Sequence, residues 1–390
     1  MAKSNNLLIF ILVIGVFGIL STEMGIVGIL PVIADTFHIS VSKAGLLVSL
    51  FALVVAISGP TMPLMFSGIN RKKVMLLVLG IFILGNIVSM LTSNFTILLI
   101  ARVIPAFFHP IYISLALTVA ATSGTSEEAR KSISKIMMAV SAGMILGVPI
   151  VTFIANVASL ELAMSFFAIV NAIAFIVTLL FVPSMPVEHR ISYGAQVSVL
   201  KKPIIWLSIA TVIFINSAVS GVYSYVAEYL GNFAHISGKT LSLVLFLFGI
   251  TSLVGNIVAG RLLAKNTLKT VVTFPIVLGI VYILAFLMTN FIGPIAIIFV
   301  LIWGVLFAIG NNISQYWIAS AAPEVPDFAN GLFLTCGNLG ITIGTAVSGL
   351  IISGMGVQYV LLGGSVFLLL GLSSIILRTY RNSPIKQLSK

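Results

Sequence analysis

Residues 7–32 read LLIFILVIGVFGILSTEMGIVGILPV, an apolar run interrupted by the charge of Glu23. A membrane-spanning helix needs roughly 20 mostly apolar residues, and the hydrophobic part of a signal peptide is shorter, so we expect this run to remain as a first transmembrane span. Similar runs recur along the chain, and only helices or closed barrels satisfy backbone polar groups inside a bilayer. The sequence therefore predicts an all-α membrane protein.

Composition places the whole chain in the same class. Of the 390 residues, 59% are hydrophobic and 7% are charged, and the mean hydropathy is +1.22. A soluble domain is about one quarter charged, so water is not the main solvent of this chain. Cutting the sequence where charges, prolines and Asn/Ser clusters interrupt the apolar runs predicts twelve spans: 7–32, 43–66, 74–92, 96–120, 133–157, 163–182, 204–231, 239–263, 269–289, 294–318, 328–353 and 357–378.

The lysines and arginines predict the orientation, because cytoplasmic loops of membrane proteins are enriched in them. With the N-terminus inside, Lys43 and Lys239 lie in outer loops and Arg102 lies within a span. The cytoplasmic side holds the others, namely Lys3, Arg71, Lys72, Lys73, Arg130, Lys131, Lys135, Arg190, Lys201, Lys202, Arg261, Lys265, Lys269, Arg378, Arg381, Lys386 and Lys390. We therefore predict an N-in, C-in topology and interpret the net charge of +11 as a topology signal rather than a nucleic-acid surface.

The longest polar stretch lies near the middle of the chain, at 184–203. We interpret it as a cytoplasmic linker between two six-helix bundles, at 1–183 and 204–390.

Glycine spacing indicates that one bundle duplicates the other. Gly143 and Gly147 recur as Gly340 and Gly344, an offset close to half the chain. Two bundles related in this way are common in transporters. Small residues let membrane helices approach closely, so we interpret these glycines as packing elements whose functional role would be to let one half rock against the other.

Four local motifs carry a resemblance to a known family. They are TEMGIVGILPVIADTFHIS at 22–40, ARVIPAFFHPIY at 101–112, LGVPIVTF at 146–153 and GNLGITIGTAVSG at 337–349. Together with the twelve spans and the repeat, they resemble the major facilitator superfamily, and within it the drug:proton antiporter group that includes bacterial sugar, purine-nucleoside and multidrug efflux proteins. The resemblance implies a two-bundle transporter of the bacterial inner membrane.

The chain departs from the family pattern at two places. Ser67 and Asn70 stand where the family's loop motif has Asp and Gly, and Val148 separates Gly147 from Pro149 in the antiporter motif. The gating residues implied by the resemblance are Arg71, Lys72, Gly143, Gly147 and Pro149.

The charged residues inside the spans are the strongest functional candidates, because each costs roughly 2.5–3.5 kcal/mol to insert. Span position places Glu23 and Arg102 each about 12 Å below the outer surface, so we expect them to meet. His109 lies two turns further along the same helix as Arg102. We predict that Glu23, Arg102 and His109 couple transport to protons, with Glu23 as the protonated group. The alternative is a permanent ion pair that fixes helix packing.

Polar and aromatic residues at membrane depth supply candidate substrate contacts. Some of them have ordinary structural explanations, since tyrosines anchor the membrane interface and buried amides bridge helices. The predicted substrate-binding set is Glu23, His109, Tyr112, Asn216, Tyr223, Tyr225, Glu228, Trp303, Asn311, Gln315 and Asn338.

Catalytic motifs are absent from the sequence, which lacks a P-loop, His-Glu-x-x-His and Gly-x-Ser-x-Gly, and its lone cysteine, Cys336, excludes an internal disulfide. We therefore expect no enzyme, metal or cofactor. The sequence favours a monomeric secondary exporter of a small organic molecule, driven by proton antiport. An uncoupled facilitator, an importer of a polar metabolite and a ligand-binding membrane sensor stay open as alternatives.

Overall fold

The computed structural model describes residues 2–66, 68–122, 125–186, 198–288, 294–323 and 326–381. Most of the predicted linker, at 187–197, lies outside the described residues, as do Ser67 and the C-terminal Lys386 and Lys390.

The described chain is helical throughout. The first half contains α1 (Ala2–Gly25), α2 (Leu30–Thr36), α3 (Val41–Ala44), α4 (Leu46–Ser58), α5 (Met62–Met65), α6 (Arg71–Leu91), α7 (Phe95–Ala121), α8 (Ser126–Val157) and α9 (Leu160–Phe181). The second half contains α10 (Pro203–Tyr223), α11 (Val226–Ala234), α12 (Gly238–Leu287), α13 (Pro294–Ala319), α14 (Pro326–Gly354) and α15 (Val360–Arg381), with short 3₁₀ turns at Ile26–Ile29, Ser198–Lys201 and Val357–Tyr359.

Two compact units contain these helices. Unit 1 is Met1–Ser40, Leu46–Ile191 and Gly238–Phe246, and unit 2 is Val41–Gly45, Ser192–Ser237 and Leu247–Lys390. In unit 1, α1 packs mainly on α8 and α9, while α6 packs on α7 and α9. In unit 2, α10 packs mainly on α14 and α15.

Eleven helices of the described chain are long and apolar enough to cross a membrane. The longest, α12, has 50 residues and contains one residue with non-helical backbone angles, Asn266. A helix of that length would extend about 75 Å, more than twice the thickness of a bilayer core. The eighth predicted span and all but the last two residues of the ninth lie within α12, on either side of Asn266.

Side-chain caps fix where several helices begin. The side chain of Asn70 accepts hydrogen bonds from the backbone N–H groups of Lys72 and Lys73 at the start of α6. Asn266, at the matching place in the second half of the chain, accepts one from the N–H of Lys269 at 3.0 Å. Asn is a preferred N-cap because its oxygen satisfies otherwise unpaired N–H groups. Asn70 therefore has a structural role at the position where the family's loop motif has Gly.

The glycines of the predicted repeat occupy equivalent packing positions in the two units. A Cβ atom added to Gly143 would lie 2.6 Å from Cβ of Leu20 and 3.1 Å from the carbonyl oxygen of Phe17. A Cβ added to Gly340 would lie 2.5 Å from Cβ of Asn216, in α10, and 2.8 Å from the carbonyl oxygen of Ile213. The spacing from Phe17 to Ile213 nearly equals the spacing between the two glycines, so α8 packs on α1 in the same register as α14 packs on α10. The packing role of these glycines is confirmed, and these two helix pairs follow the offset of the predicted repeat.

Candidate functional site

A buried ionisable pair joins α1 to α7 in unit 1. The Oε2 atom of Glu23 lies 3.1 Å from Nε2 of His109, and both side chains are largely excluded from solvent. The contact lacks hydrogen-bond alignment, because neither ring nitrogen of His109 has a hydrogen-bond partner among the described residues. Phe51 packs edge-on against the imidazole, with ring centroids 6.1 Å apart. The pair is therefore a close buried contact rather than a well-aligned hydrogen bond.

The guanidinium of Arg102 lies in the same region and is 2% exposed. Its Nη2 atom donates to the backbone carbonyl of Thr22 at 2.6 Å, and Phe51 and Phe167 flank it with ring centroids 5.8 and 6.0 Å from Cζ. Its Nε and Nη1 atoms are buried without a hydrogen-bond partner in the described chain. Two of the three nitrogens of this charged group thus have no hydrogen-bond partner in this arrangement.

The predicted contact between Glu23 and Arg102 is replaced by two others. Cα–Cβ bonds in a helix tilt toward its N-terminus, so the carboxylate of Glu23 leans back along α1. The antiparallel α7 places His109, rather than Arg102, at that level. The long side chain of Arg102 instead reaches the backbone of Thr22, one residue before Glu23.

Thr22 connects four helices, a role that was not among the predictions from sequence. Besides accepting from Arg102 through its carbonyl, it accepts at its hydroxyl from the side-chain amides of Asn171 (3.0 Å, α9) and Asn86 (3.5 Å, α6). The hydroxyl donates to the carbonyl of Gly18 at 2.8 Å. Asparagine and threonine within apolar helices are the signal for such a network, but sequence gives no indication that they converge.

The hydroxyl of Tyr112, also a predicted substrate contact, is separate from the Glu23–His109 pair. It is fully buried and lies against α1 at Gly15, where an added Cβ would overlap it. Gly15 and Glu23 are eight residues apart, or about 12 Å along the helix. Tyr112 therefore packs two turns away from the charged groups.

Unit 2 contains an aromatic cluster on α10, α12 and α13. Tyr223 of α10 stacks on Phe248 of α12 with ring centroids 4.9 Å apart, and Trp303 of α13 packs edge-on against both. The hydroxyl of Tyr282 donates to the carbonyl of Ala218 at 3.2 Å. A void of about 10 Å³ beside Trp303 holds at most one water molecule. Trp303, a predicted substrate contact, is 1% exposed and is part of this packing.

The hydroxyl of Tyr225 packs between two glycines in unit 2. It donates to the carbonyl of Thr345 at 3.2 Å, and a Cβ atom added to Gly45 or Gly349 would overlap it. The side chain of Glu228, on the following helix, accepts from the amide of Asn232 at 2.8 Å. These two predicted substrate contacts therefore have partners within the protein.

The predicted amide contacts differ in their exposure. Asn216 is buried and donates to the hydroxyl of Ser314 at 3.3 Å. Asn338 is buried and its Oδ1 has no partner among the described residues, whereas Gln315 is exposed and Asn311 is half-buried. The structure thus places these amides on α10, α13 and α14 of unit 2, and their role in binding substrate stays a prediction.

The predicted gating residues at the start of α6 bind the end of α9 and the segment that follows it. The backbone N–H of Arg71 donates to the carbonyl of Met185 at 3.0 Å, and Nζ of Lys72 donates to the carbonyl of Leu179 at 2.9 Å. Pro149 is buried within α8, two residues after Gly147. Their role in gating stays a prediction.

Outside the spans, a titratable cap begins α8. The carboxylate of Glu128 accepts from the backbone N–H of Thr125 at 2.8 Å, and the hydroxyl of Thr125 accepts in return from the N–H of Glu128, which forms a capping box. These bonds favour the ionised carboxylate and lower the pKa of Glu128. Within the described ranges, no three His, Cys, Asp or Glu side chains converge as metal ligands.

Long apolar helices with buried ionisable groups define a multi-pass membrane protein, and comparison with known proteins gives its class. The family model of the Major Facilitator Superfamily matches residues 12–345. The chain is 28% identical to the uncharacterized MFS-type transporter YbcL of Bacillus subtilis over 99% of both chains. It is 26% identical to a protein named probable sugar efflux transporter of Helicobacter pylori, over 93% of this chain and 92% of the relative.

A solved structure supports the same fold. A bacterial homologue of the human lysosomal transporter Spinster aligns with a TM-score of 0.79 and 16% identity, over 97% of this chain and 98% of that one. The protein is a membrane transporter. It belongs to the Major Facilitator Superfamily.

Proposed function

We propose that this transporter exports a small polar organic molecule across the bacterial cytoplasmic membrane in exchange for protons, by alternating access within the drug:proton antiporter group. In this proposal α12 counts as two spans separated at Asn266, which gives twelve spans with both termini in the cytoplasm. The positive-inside distribution of Lys and Arg supports that orientation. The buried pair of Glu23 and His109 beside Arg102 is the observation that carries the proposal.

Charge balance is the physical reason that this cluster suits proton coupling. With His109 neutral, the charges of Glu23 and Arg102 cancel, and adding one proton to the Glu23–His109 pair gives the cluster a net charge of +1. An unbalanced charge at low dielectric is costly, so each protonation state favours a different arrangement of the helices around it. Proton uptake and helix movement are thereby linked.

Arg102 offers Glu23 a second partner. Its Nε and Nη1 atoms have no partner in the described chain, and a guanidinium edge binds a carboxylate with two parallel hydrogen bonds. When the proton leaves, the carboxylate of Glu23 moves from His109 toward this edge, since the neutral imidazole attracts it less. The exchange changes the level at which α1 is held to α7, and biases which side of the transporter is open.

The proposed substrate class rests on a relative's name and on amide chemistry. The relative from Helicobacter pylori is named for sugar efflux. The buried amides Asn216 and Asn338 present hydrogen-bonding groups suited to hydroxylated solutes. A ligand-stabilisation screen of sugars, nucleosides and amphipathic drugs on the purified protein tests this, because a bound substrate raises apparent stability by mass action.

The decisive experiment uses Glu23→Gln in reconstituted vesicles, with the substrate found by that screen. We expect the variant to retain exchange of labelled for unlabelled substrate but to lose transport driven by a pH gradient by about 100-fold. Glu161→Gln, an exposed carboxylate at the start of α9, is the matched control and should transport normally. Undiminished pH-driven transport by Glu23→Gln would exclude proton coupling at this site.

The same assay separates the alternatives. An uncoupled facilitator would equilibrate substrate without responding to the pH gradient, and an importer would accumulate it in the opposite direction. A membrane sensor would bind substrate in the stabilisation screen but show no flux.

A further inference from the structure

A groove between α1 and α8 lies outside the site described above. It encloses about 400 Å³ within unit 1. Its lining residues come from one face of each helix and are Asn6, Phe10, Val13, Lys135, Met138, Ala139 and Ala142. We call it the Asn6–Lys135 groove. The lining residues recur at intervals of three and four residues, so they form a continuous stripe along each helix.

The groove is polar at one end and apolar along the rest. At the polar end, Nζ of Lys135 donates to Oδ1 of Asn6 at 3.3 Å. An ammonium has three donors, and Asn6 accepts the one side-chain bond that Lys135 makes within the described chain. The amide nitrogen of Asn6 is a further donor at the same end. This end therefore suits an anion with several acceptor oxygens.

The apolar part suits a hydrocarbon chain. Phe10 and Met138 are 61% and 60% exposed and form the walls, while the small side chains of Ala139 and Ala142 leave the space between the helices open. From Asn6 to Val13 the groove follows α1 for about 10 Å. An extended acyl chain fits a channel of this shape better than a compact polar solute does.

We propose that the Asn6–Lys135 groove binds one anionic phospholipid, with the phosphate at Lys135 and Asn6 and an acyl chain along Phe10 and Met138. The proposed orientation puts the polar end of the groove at the cytoplasmic leaflet, where anionic lipids concentrate and basic pockets between membrane helices bind their headgroups. Only the choice of leaflet rests on the proposed orientation of the transporter. Proton coupling at Glu23 is independent of it.

Lipid binding to the purified full-length protein tests the site. Phosphatidylglycerol and phosphatidylcholine with identical acyl chains are titrated into detergent-solubilised protein, and bound lipid is counted by native mass spectrometry alongside thermal stability. We expect one phosphatidylglycerol to bind more tightly than phosphatidylcholine and to raise the unfolding temperature. Lys135→Gln keeps a bond to Asn6 without the charge, and should weaken phosphatidylglycerol binding about fivefold.

Two further variants make the result specific. Lys73→Ala removes another exposed lysine at the start of α6 and should leave lipid binding unchanged. Ala142→Leu fills the apolar part and should weaken both lipids, with size-exclusion chromatography verifying that the protein stays folded. Equal binding of the two lipids, or equal loss in Lys73→Ala and Lys135→Gln, would overturn the proposal. Binding of glycerol phosphate as tight as that of phosphatidylglycerol would identify a soluble-anion site instead.

Discussion

The two units use the same backbone position in different ways. In unit 1 the carbonyl of Thr22 accepts a hydrogen bond from the charged guanidinium of Arg102. In unit 2 the carbonyl of Ala218, at the matching position of the repeat, accepts one from the neutral hydroxyl of Tyr282. The glycine contacts show that α1 and α10 are packed in equivalent registers, so the comparison is between matched positions. One repeat has charges at its centre, and the other has aromatic rings.

This difference between charged and aromatic centres indicates that the two units have different functions. Phe51 packs against Arg102 and His109, whereas Phe248, its counterpart by the spacing of the repeat, stacks on Tyr223. Charged groups change state when a proton arrives, but an aromatic cluster responds only by repacking. We therefore expect energy coupling to reside in unit 1, and unit 2 to supply rigidity and neutral contacts.

The largest expected effect comes from removing the two side chains that bind these carbonyls. Arg102→Met leaves Glu23 as an uncompensated buried charge and should cost about 3 kcal/mol of stability as well as pH-driven transport. Tyr282→Phe removes one neutral hydrogen bond and should cost about 1 kcal/mol. Unfolding of both variants in detergent measures the difference. Equal losses would show that the charged and aromatic centres are energetically alike.

The glycine contacts test what the units have in common. Gly147→Ala places a Cβ 2.9 Å from Cα of Ser21, and Gly344→Ala places one 2.8 Å from Cα of Ser217, so each should destabilise by about 1–3 kcal/mol. Gly331→Ala meets no atom within 4 Å and should stabilise by up to about 1 kcal/mol through helix propensity. Thermal unfolding of the three variants measures these changes. A loss in only one unit would mean that the packing is not equivalent.

A smaller shared effect is expected after the helices that follow α1 and α10. His38 and His235 occupy matching positions of the repeat, and both adopt left-handed backbone angles, with φ of 52° and 51°. Replacing either by Gly removes a steric cost that exceeds the added entropy of the unfolded chain, and should stabilise by about 0.5 kcal/mol. Ser237→Gly, at an extended position, should instead destabilise slightly. Melting curves of these variants in one detergent distinguish the outcomes.

The last comparison concerns two helix caps, of which only one should depend on pH. Because the pKa of Glu128 is lowered in the folded state, its ionised cap stabilises the protein above the unfolded pKa of about 4.3 and stops doing so as pH falls through the folded pKa. Glu128→Gln should therefore be less stable than wild type at pH 7, with the gap closing below about pH 4. Asn266→Ala should lose about 1 kcal/mol at every pH in this range. Unfolding measured across this pH range compares the two variants.

Hydropathy predicted the spans well because each span must be apolar and must form all its backbone hydrogen bonds internally, independently of the helices beside it. The packing glycines were predictable for a related reason, since a duplicated interface repeats its small residues. The number of spans near Asn266 is harder to read from the structure, because two helices adjoin there directly and the hydroxyl of Thr270 donates across the break to the carbonyl of Leu262. These features are local to one helix or one pair.

The partners of the charged residues were harder to predict. Axial depth placed Glu23 opposite Arg102, but side-chain tilt brings the carboxylate to His109. The partner of Arg102 is a backbone carbonyl, which every residue possesses and which therefore has no sequence signature. Trp303 was predicted as a substrate contact because it is an aromatic residue at membrane depth. The structure shows instead that its ring is buried among other rings.

A carbonyl acceptor also has a consequence for how duplicated proteins diverge. No codon change at Thr22 or Ala218 can delete the oxygen that each contributes, because it belongs to the peptide bond. A change of donor, such as arginine on α7 in one half and tyrosine on α12 in the other, therefore leaves the acceptor in place. The two halves thus share one fixed acceptor position and differ in the side chain that donates to it.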